Sequence, residues 1–506
     1  MPADTDPPST QEIELKLALP HSDLADLVAR LHKAAPLARR KPTSQHLCNV
    51  YYDTPDHSLR ERRIALRVRE VVHGKTSRWV QTLKTGGGSA SALSVRGEWE
   101  QPVPGKDLSR SALESTPWGE IDPQGDIFTS LAPCFITNFE RTTWTVRGKD
   151  QSVIEVALDI GQIHSGHLEA PICELELELR QGTAAALFDL AQALAKTVAV
   201  LPASVSKAER GYALAEGTFE RPQRALPADL PQNTSVIDAA QRVMREMFFQ
   251  FTRNLDILQS SDNAEVVHQA RIGWRRLKSA LHLFKPALVQ EHVPALTPLQ
   301  PLLAALGHLR DLDVAVTETL PLMAAHYGAA EPGVAGKNRK LHWDQMSYAL
   351  LASAQLQRQA VRAALQDPAI GAALLTLARY IEELPGTEAA HPKSLTRALK
   401  PWAERRLEKL NDQWEQAMAI AMDGESQHRA RILSKRLRYG VETLQALLPK
   451  RRAKRWLKRA IAAQGSIGFG RDIHRAYLLA EEAGAEPALV EFLRGYAQGY
   501  TQHHPG

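Results

Sequence analysis

The stretch Gln11–Leu19, which reads QEIELKLAL, decides the fold of the first part of the chain. In it Glu12, Glu14 and Lys16 alternate with aliphatic residues. Successive side chains of a β-strand point to opposite faces, so this pattern predicts a strand with one ionisable and one apolar face. A single strand of this kind is typical of a half-buried sheet whose charged face meets water.

The same alternation returns in later strand-like stretches. Their charged faces carry Arg67 and Arg69; Arg96, Glu98 and Glu100; Glu155 and Asp159; and Glu174, Glu176 and Glu178. If these faces lay on separate sheets, the pattern would indicate only solubility. Some strands carry carboxylates and others carry cations, which favours closure of the sheet on itself, so that both sets meet in one lumen.

A closed sheet of this composition predicts a binding tunnel. Carboxylates in the lumen can hold a divalent cation, and Arg or Lys can hold phosphate oxygens. The outer apolar faces would then need covering, and the sequence offers helices at His21–Lys33 and Thr183–Lys196.

Length and charge indicate at least two domains of different character. A chain of 506 residues is too long for one hydrophobic core, so two or three domains are expected. Residues 1–220 contain 24 basic and 29 acidic residues, whereas residues 221–506 contain 38 and 28. The basic second part predicts a polyanionic partner, which could be nucleic acid, polyphosphate or an acidic membrane surface.

Cysteine usage and hydropathy predict a cytoplasmic protein. Cys48, Cys134 and Cys173 are odd in number and far apart, so a disulfide framework and a zinc knuckle are both disfavoured. The opening residues, MPADTDPPST, do not resemble a signal peptide, and no run approaches the roughly 20 apolar residues that cross a bilayer. We therefore expect no membrane partner.

A proline-rich linker precedes a helical part. Residues 219–233 contain Pro222, Pro227 and Pro231 without an apolar period, which is typical of a stiff connector. From Ser235 onward Ala, Leu, Arg and Gln dominate, and apolar residues recur at spacings of three and four, which predicts helices throughout.

The helical part contains an internal repeat. His268, Arg271, Arg275 and Lys278 have the same spacing as His428, Arg431, Lys435 and Arg438, 160 residues later. Each block is followed by a related motif, LGHLRDLD in the first copy and IGFGRDIH in the second. The repeat predicts two helical bundles that arose by duplication.

Each block would form one cationic stripe on a helix, rising about 15 Å from its first member to its last. Such a stripe can be a surface paired to acids elsewhere, but its presence in both copies favours a long anionic ligand, because Arg contacts phosphate oxygens with two donors and Lys with a point charge. No helix-turn-helix or zinc-finger pattern is present, and aromatic residues make up only 6% of the chain. Specific nucleic-acid binding is therefore disfavoured relative to a ligand with phosphates and no bases.

Two sets of motifs resemble known families. Residues 10–217 resemble a CYTH domain of the triphosphate tunnel metalloenzyme family, through Glu12, Glu14 and Lys16 and the later motifs YYDTPD, ALRVR, QTLK, EVALDIG, CELELEL and SKAERGY. Residues 235–502 resemble a CHAD domain, through VHQARIGWRRLK, LGHLRDLDV and HRARILSKRLRY. The expected fold is thus α+β: an antiparallel eight-stranded β-tunnel, a linker over 218–234, and an all-α duplicated helical domain.

The CYTH resemblance implies a set of site residues. Those that match metal-associated acids are Glu12, Glu14, Asp159, Glu174, Glu176 and Glu178, with the choice among the last three left open. Those that match phosphate-binding positions are Lys16, Arg67, Arg69, Lys84, Arg141 and Lys207, with Arg210 assisting. Glu98 and Glu100 could either join the site or balance the arginines of the lumen.

The CHAD resemblance implies that inorganic polyphosphate binds to the two stripes, formed by His268, Arg271, Arg275, Lys278, His428, Arg431, Lys435 and Arg438. The second copy departs from the first in its distal motif, where residues 470–474 read GRDIH in place of LRDLD at 309–313. That copy could bind differently. We expect Asp311 to belong to a structural ion pair that holds helices together.

The resemblance implies hydrolysis of inorganic triphosphate to pyrophosphate and phosphate with Mg²⁺ or Mn²⁺. Lumenal carboxylates would repel a triphosphate unless a divalent cation bridged them to it. The same metal and phosphate groups would serve a thiamine triphosphatase or a CYTH-type adenylate cyclase. A third hypothesis is a non-catalytic polyphosphate-binding scaffold recruited to polyphosphate granules.

Overall fold

The computed structural model describes residues 11–20, 23–86, 91–231, 233–328, 334–384, 398–421 and 424–503. The chain divides into two compact units: the first contains the residues up to Pro222 with two short later segments, and the second contains most of the remainder. No helix in these ranges is long and apolar enough to cross a membrane.

Nine strands form the sheet of the first unit. They are β1 Gln11–Ala18, β2 Thr43–Asp53, β3 Ile64–His73, β4 Thr76–Thr85, β5 Leu93–Val103, β6 Ala132–Arg147, β7 Val153–Ser165, β8 Leu168–Gln181 and the two-residue β9 Leu201–Pro202. Their order is β5-β4-β3-β2-β6-β7-β8-β1-β9, and β1 also pairs with β5. The first eight strands therefore close into an antiparallel barrel, which confirms the predicted fold, and β9 adds only a short extension to β1.

Closure of the barrel turns one face of each strand inward and the other face outward. Leu15 and Leu17 of β1 are fully buried on the outer face, while Glu12, Glu14 and Lys16 line the cavity inside the barrel. Because side chains alternate along every strand, the acids of β7 and β8 and the arginines of β3 point to the same interior.

Helices cover the outer apolar faces of the barrel. The first unit contains α1 Leu24–Lys33, α2 Ser58–Glu61, α3 Trp118–Ile121, α4 Asp126–Thr129, α5 Ala184–Leu194 and α6 Lys207–Ala215. Asp23 caps α1 by accepting hydrogen bonds from two backbone amides, and His21, where we expected this helix to begin, lies outside the described residues. Helix α5 packs on β1 and β8 through buried residues such as Leu187 and Phe188.

One end of the barrel interior is filled by apolar side chains. Leu47, Tyr51, Phe135, Phe139 and Tyr212 belong to this cluster, and helix α6 contacts β6, β7 and β8 beside it. A Cβ on Gly211 of α6 would lie 2.1 Å from the ring of Phe135, so glycine is required for this close approach. The cluster therefore restricts the charged interior to the remaining part of the barrel.

The second unit is all α-helical within the described residues, as predicted. Its principal helices are α7 Val236–Ile257, α8 Ala264–Leu283, α9 Gln300–Val314, α10 Leu320–Gly328, α11 Val334–Leu365, α12 Pro368–Glu383, α13 Leu399–Ala419, α14 Gly424–Leu444, α15 Lys450–Glu482 and α16 Pro487–His503, although part of α12 groups with the first unit. Helix α8 packs on α14 and α9 packs on α15. Corresponding helices of the two sequence repeats therefore meet each other.

Candidate active site in the barrel

The charged interior of the barrel is a single cavity of about 870 Å³. It is lined by the predicted residues Glu12, Glu14, Lys16, Arg67, Arg69, Lys84, Arg141, Glu176, Glu178 and Lys207. Asp159 and Glu174 are buried at its wall and are bonded to Lys207. The structure thus brings together acids and bases that are up to 195 residues apart in the sequence.

Three carboxylates converge at one point of this wall. Oxygen atoms of Asp159, Glu174 and Glu176 lie within 4.8 Å of one another. The Nζ atom of Lys207 is 2.6 Å from Asp159 Oδ2, 2.5 Å from Glu174 Oε1 and 3.0 Å from Glu176 Oε1. A side-chain ammonium therefore stands at the position where the three acids can share a cation.

Further cations contact the same three carboxylates. Lys16 donates to Glu174 Oε1 at 3.2 Å and also bonds Glu176, while Arg141 makes a two-pronged contact with Asp159 at 2.7 Å. Burial alone would raise the pKa of Glu174, but Lys16 and Lys207 outweigh it and lower that pKa to about 2. The same cations hold the pKa of Glu176 well below its usual range. Glu174 and Glu176 are therefore ionised at neutral pH.

This donor set fits a hard divalent cation. All three groups offer oxygen, the ligand atom that Mg²⁺ and Mn²⁺ prefer, and Lys207 already marks a cation position between them.

The acids of β1 are held by a different set of cations. Arg96 donates to Glu12 Oε2 at 2.7 Å and to Glu14 Oε1 at 2.6 Å, and Lys84 donates to Glu12 Oε2 at 2.9 Å. Burial raises the pKa of Glu12, but Lys84 and Arg96 lower it by more, so the carboxylate stays charged. Glu12 and Glu14 thus line the cavity without joining the three converging carboxylates.

Glu178 and Arg210 are two further predicted site residues of the barrel, and each makes different contacts. Glu178 pairs with Arg180, and burial, assisted by the nearby acids Glu12 and Glu98, raises the pKa of its carboxyl to about 8. Arg210 lies behind the cluster, where it donates to Glu174 Oε2 at 3.2 Å and to a backbone carbonyl.

Arginines of β3 form a basic wall of the cavity. Arg67 Nη1 donates to the hydroxyl of Tyr51 at 3.3 Å, and Arg69 Nε donates to Asn49 Oδ1 at 2.6 Å. Burial and the neighbouring cations Arg67 and Arg141 lower the pKa of Arg69 to about 10. The Nε of Arg67 is buried and has no hydrogen-bond partner among the described residues. Acids of β5 lie within 4 Å of both guanidinium groups, so the donor of this wall that is left for an anion is the Nε of Arg67.

Arg96 and Tyr51 are cavity residues that sequence reasoning did not assign to the site. The alternating pattern of β5 placed Arg96 in the lumen with Glu98 and Glu100, but no motif gave it a role in the site. Tyr51 lies in the motif YYDTPD, where an aromatic residue in an apolar run indicates core rather than site.

The two cationic stripes of the second unit lie on neighbouring helices, α8 and α14. Arg271 and Arg431 are half-buried, and so are Arg275 and Lys435, which stand at equivalent repeat positions. Burial and the cations Arg431, Arg275, Arg471 and Arg271 lower the pKa of Lys435 to about 8. Both stripes therefore contribute to one basic patch, whose cations repel one another.

The remaining predicted residues frame this patch. His268 is half-buried, and burial and the nearby Arg310 lower its pKa. Lys278 and His428 are exposed. Arg438 forms an ion pair with Glu442 at 2.8 Å. The Nε atoms of Arg275 and Arg431 are buried without hydrogen-bond partners in the described part of the chain. Asp311 of α9 pairs with Arg475 of α15 at 3.4 Å, which agrees with its expected structural role.

Two family models match separate parts of the chain. A family model described as the CYTH domain matches residues 10–212, and one described as the CHAD domain matches residues 242–481. An inorganic triphosphatase from Haemophilus influenzae is 38% identical over 210 residues, which are 41% of this chain and 56% of that relative. The match thus spans little more than half of the relative's length.

Two solved structures also match parts of the chain. The CHAD domain from Ricinus communis is 26% identical with a TM-score of 0.46, over 56% of this chain and 92% of that one. A putative adenylyl cyclase from Hippeastrum, described as having a dominant triphosphatase activity, is 19% identical with a TM-score of 0.31, over 40% of this chain and 95% of that one.

Proposed function

This chain joins a CYTH domain to a CHAD domain, and on that premise we propose that it hydrolyses inorganic triphosphate to pyrophosphate and phosphate with the help of Mg²⁺ or Mn²⁺. We assign this chemistry to residues 10–217 and polyphosphate binding to residues 235–502, with residues 218–234 as the linker. The observation that carries the proposal is one cavity whose wall holds three converging carboxylates that share an ammonium, and whose arginines keep one buried donor without a partner among the described residues.

The carboxylate cluster supplies the proposed metal site. Asp159, Glu174 and Glu176 would hold a divalent ion, which would supply positive charge to offset that of the transferring phosphoryl group. Glu12, Glu14 and Glu178 line the same cavity and remain proposed ligands.

The cations of the chain bind and orient the phosphate chain. Hydrolysis of a phosphoanhydride needs no protein nucleophile if the phosphoryl charge is neutralised and water is placed in line with the leaving group. Lys16, Lys207 and Arg141 stand beside the carboxylates, while Arg67, Arg69 and Lys84 line the cavity as further donors. These groups act by fixed charge at the bridging and terminal oxygens, and none of them must transfer a proton.

For the CHAD domain, we propose that inorganic polyphosphate binds the basic patch on α8 and α14. Mutual repulsion of Arg271, Arg275, Arg431 and Lys435 supports this, because an anionic chain would relieve it. We further propose a cytoplasmic location in association with polyphosphate granules.

A phosphate-release assay tests the proposed activity. Purified full-length protein is incubated with tripolyphosphate, thiamine triphosphate, ATP or long-chain polyphosphate, with Mg²⁺ and with EDTA. We expect the highest kcat/KM on tripolyphosphate and no turnover in EDTA. A preference for thiamine triphosphate or ATP would favour one of the organic triphosphates as substrate. Turnover of none of them, together with polyphosphate binding, would indicate the scaffold instead.

A further inference from the structure

The compact unit that contains the barrel includes a segment from much later in the chain. Besides the residues up to Pro222, this unit contains Leu365–Arg379, which we call the α12 segment because it supplies most of helix α12. The segment lies outside the range 10–212 that the CYTH model matches and inside the range 242–481 that the CHAD model matches. The barrel unit is therefore completed by residues that its own family model does not cover.

The α12 segment is hydrogen-bonded to α5, the helix that covers β1 and β8. Gln192 Nε2 of α5 donates to Ala372 O at 3.1 Å and to Thr376 Oγ1 at 2.8 Å. Arg379 Nη1 donates to Asp189 Oδ1 at 2.5 Å. Within the first unit, the segment thus forms a further layer outside α5.

Gly371 is the residue of the α12 segment that comes very close to the chain after α5. A Cβ atom at this position would overlap the carbonyl oxygen of Val200 and would lie 3.1 Å from its Cγ2 atom. Both residues are buried, and the obstructing oxygen belongs to the backbone, so a side-chain rotation cannot relieve the overlap. Glycine destabilises a helix relative to alanine, so the close approach to Val200 is the physical reason for glycine here.

The chain that leaves Val200 leads directly to two cations of the barrel interior. It continues into β9, which pairs with β1, and Ala203 N then donates to the carbonyl oxygen of Lys16 at 3.0 Å. Shortly afterwards Ser206 caps α6, whose first residue is Lys207. Residues 200–206 therefore connect the contact at Gly371 to the backbone of both lysines.

The two lysines meet at one carboxylate of the converging cluster. Lys16 Nζ lies 3.2 Å from Glu174 Oε1, and Lys207 Nζ lies 2.5 Å from the same oxygen. Hydrogen bonds of this kind weaken steeply with distance, so a small displacement of residues 200–206 would change both contacts together. Misplacement of charged groups by about 1 Å is enough to slow an enzyme severely, even when the altered residue is remote from the site.

We propose that Gly371 is a positioning residue of the barrel site. Its close contact with Val200 fixes residues 200–206, and these residues fix Lys16 and Lys207 at the carboxylate of Glu174. The consequence for phosphate binding rests on the proposed function, because it takes the two ammonium groups as ligands of the phosphate chain. The link between Gly371 and residues 200–206 does not depend on that function.

The variant Gly371→Ala of the full-length protein adds one methyl group at the contact. Gly495→Ala is the matched control, because it adds the same group to the exposed face of α16, where none of the described residues lies within 4 Å of the new Cβ atom. Both variants raise the helix propensity equally. A difference between them therefore reports the contact with Val200. Gln192→Leu, which removes both hydrogen bonds of α5 to the segment, is a milder second variant.

Hydrogen–deuterium exchange followed by mass spectrometry measures the link without any substrate. We expect Gly371→Ala to speed exchange in the peptide that covers residues 198–206 about tenfold, and Gln192→Leu to speed it about threefold, because the hydrogen bonds to β1 open more often. Peptides of β3, which is separated from β1 by β4 and β5, should exchange as in the wild type. Gly495→Ala should leave both regions unchanged. Unchanged exchange at residues 198–206 in Gly371→Ala and Gln192→Leu, or an equal increase in β3, would overturn the link.

Binding and turnover measure the consequence for the site. Calorimetry in EDTA reports tripolyphosphate affinity, and phosphate release with Mg²⁺ reports kcat and KM. For Gly371→Ala we expect affinity and kcat/KM to fall about tenfold, and for Gly495→Ala we expect both to stay within twofold of the wild type.

The outcomes separate this inference from the proposed function. Faster exchange at residues 198–206 with unchanged affinity and turnover would overturn the positioning role and leave the proposed function intact. Wild-type protein that neither binds nor hydrolyses tripolyphosphate would overturn the proposed function and, with it, the role of Gly371 in phosphate binding.

Discussion

Arg96 Nη2 donates to Glu14 Oε1 at 2.6 Å, and the same guanidinium also reaches Glu12 through Nε. One guanidinium from β5 therefore contacts both carboxylates of the first strand of the barrel, and Lys84 is a second cation on Glu12. Because these acids are buried, their charges are tolerated only while such a partner is present.

Removal of this partner should destabilise the barrel. We expect Arg96→Ala to lower the free energy of unfolding by about 3 kcal/mol at pH 7, because Glu14 would be left without its guanidinium. Urea denaturation of the full chain, followed by tryptophan fluorescence, measures the change. Arg147→Ala, at the exposed end of β6, should shift the curve by less than about 0.5 kcal/mol. Equal effects of the two variants would contradict a specific role for Arg96.

Loss of one carboxylate of the converging cluster should weaken metal binding. We expect Glu174→Gln to reduce Mn²⁺ affinity at least tenfold and kcat about 100-fold, because two charged ligands bind a hard cation less tightly than three. Electron paramagnetic resonance reports Mn²⁺ binding without substrate. Glu140→Gln, which removes a 61% exposed carboxylate from the outer face of β6, is the control. If Glu174→Gln bound Mn²⁺ like the wild type, the ion would have to be placed elsewhere.

The basic wall should contribute to turnover through Arg67. We expect Arg67→Ala to lower kcat/KM on tripolyphosphate by 10²- to 10³-fold, because a buried donor that faces the developing charge is lost. Arg67→Lys should recover part of the loss, since it keeps the charge but not the two-pronged geometry. Full activity of Arg67→Ala in steady-state assays would exclude this wall from the phosphate site.

The pKa of Glu178 predicts that stability depends on pH. Its folded-state value of about 8 lies above that of an unfolded chain, so between pH 4.5 and 8 the native state binds more protons and the free energy of unfolding falls as pH rises. We expect Glu178→Gln to raise the free energy of unfolding by roughly 2 kcal/mol at pH 9 and to leave it unchanged at pH 4. Urea denaturation at both values tests the sign, and a stabilisation of equal size at pH 4 would contradict this explanation.

The basic patch of the second unit should bind polyphosphate independently of hydrolysis. We expect Arg271→Ala combined with Arg431→Ala to weaken long-chain polyphosphate binding at least tenfold and to leave kcat/KM on tripolyphosphate within twofold. The control, Arg451→Ala with Lys458→Ala, removes the same charge from exposed positions of α15. If the double variant at the patch lost binding and hydrolysis together, a single shared site would replace the two proposed here.

Lys435 adds a pH test at the same patch. Its lowered pKa of about 8 means that the ammonium loses its proton as pH rises past that value, so polyphosphate affinity should decline between pH 7.5 and 9. Lys435→Arg keeps its charge throughout this range and should show a flatter decline. Identical pH profiles of the two proteins would remove Lys435 from the binding surface.

The sequence predicted the lumen of the barrel better than the contacts inside it. The alternation of Glu12, Glu14 and Lys16 was enough to place them on one face, because a strand has a period of two. Which cation contacts which acid depends on the register between neighbouring strands. The two-residue period of side chains along one strand does not determine that register. The contacts of Lys16 with Glu174 and Glu176, and of Arg96 with Glu12 and Glu14, were therefore visible only in the structure.

Among the three acids of β8, the sequence left the choice of metal ligand open for the same reason. Glu174, Glu176 and Glu178 share a face, but only the first two meet Asp159 within the cluster that the described residues form. The sequence did not assign Tyr51 to the site, because aromatic residues of strands more often belong to the hydrophobic core than to a functional site. The repeat in the helical part was enough to predict the two cationic stripes. Only the structure shows that α8 packs on α14 and so brings the two stripes together.

Closure of the barrel limits how the chain can change by insertion or deletion. Every one of the eight strands is hydrogen-bonded on both sides, so one residue added before Lys16 within β1 could not be absorbed at an open edge. It would turn Leu15 inward and a carboxylate outward against α5, exchanging the two faces of the strand. Substitution at fixed length, or loop changes between strands, are thus the routes by which such a protein can alter its specificity.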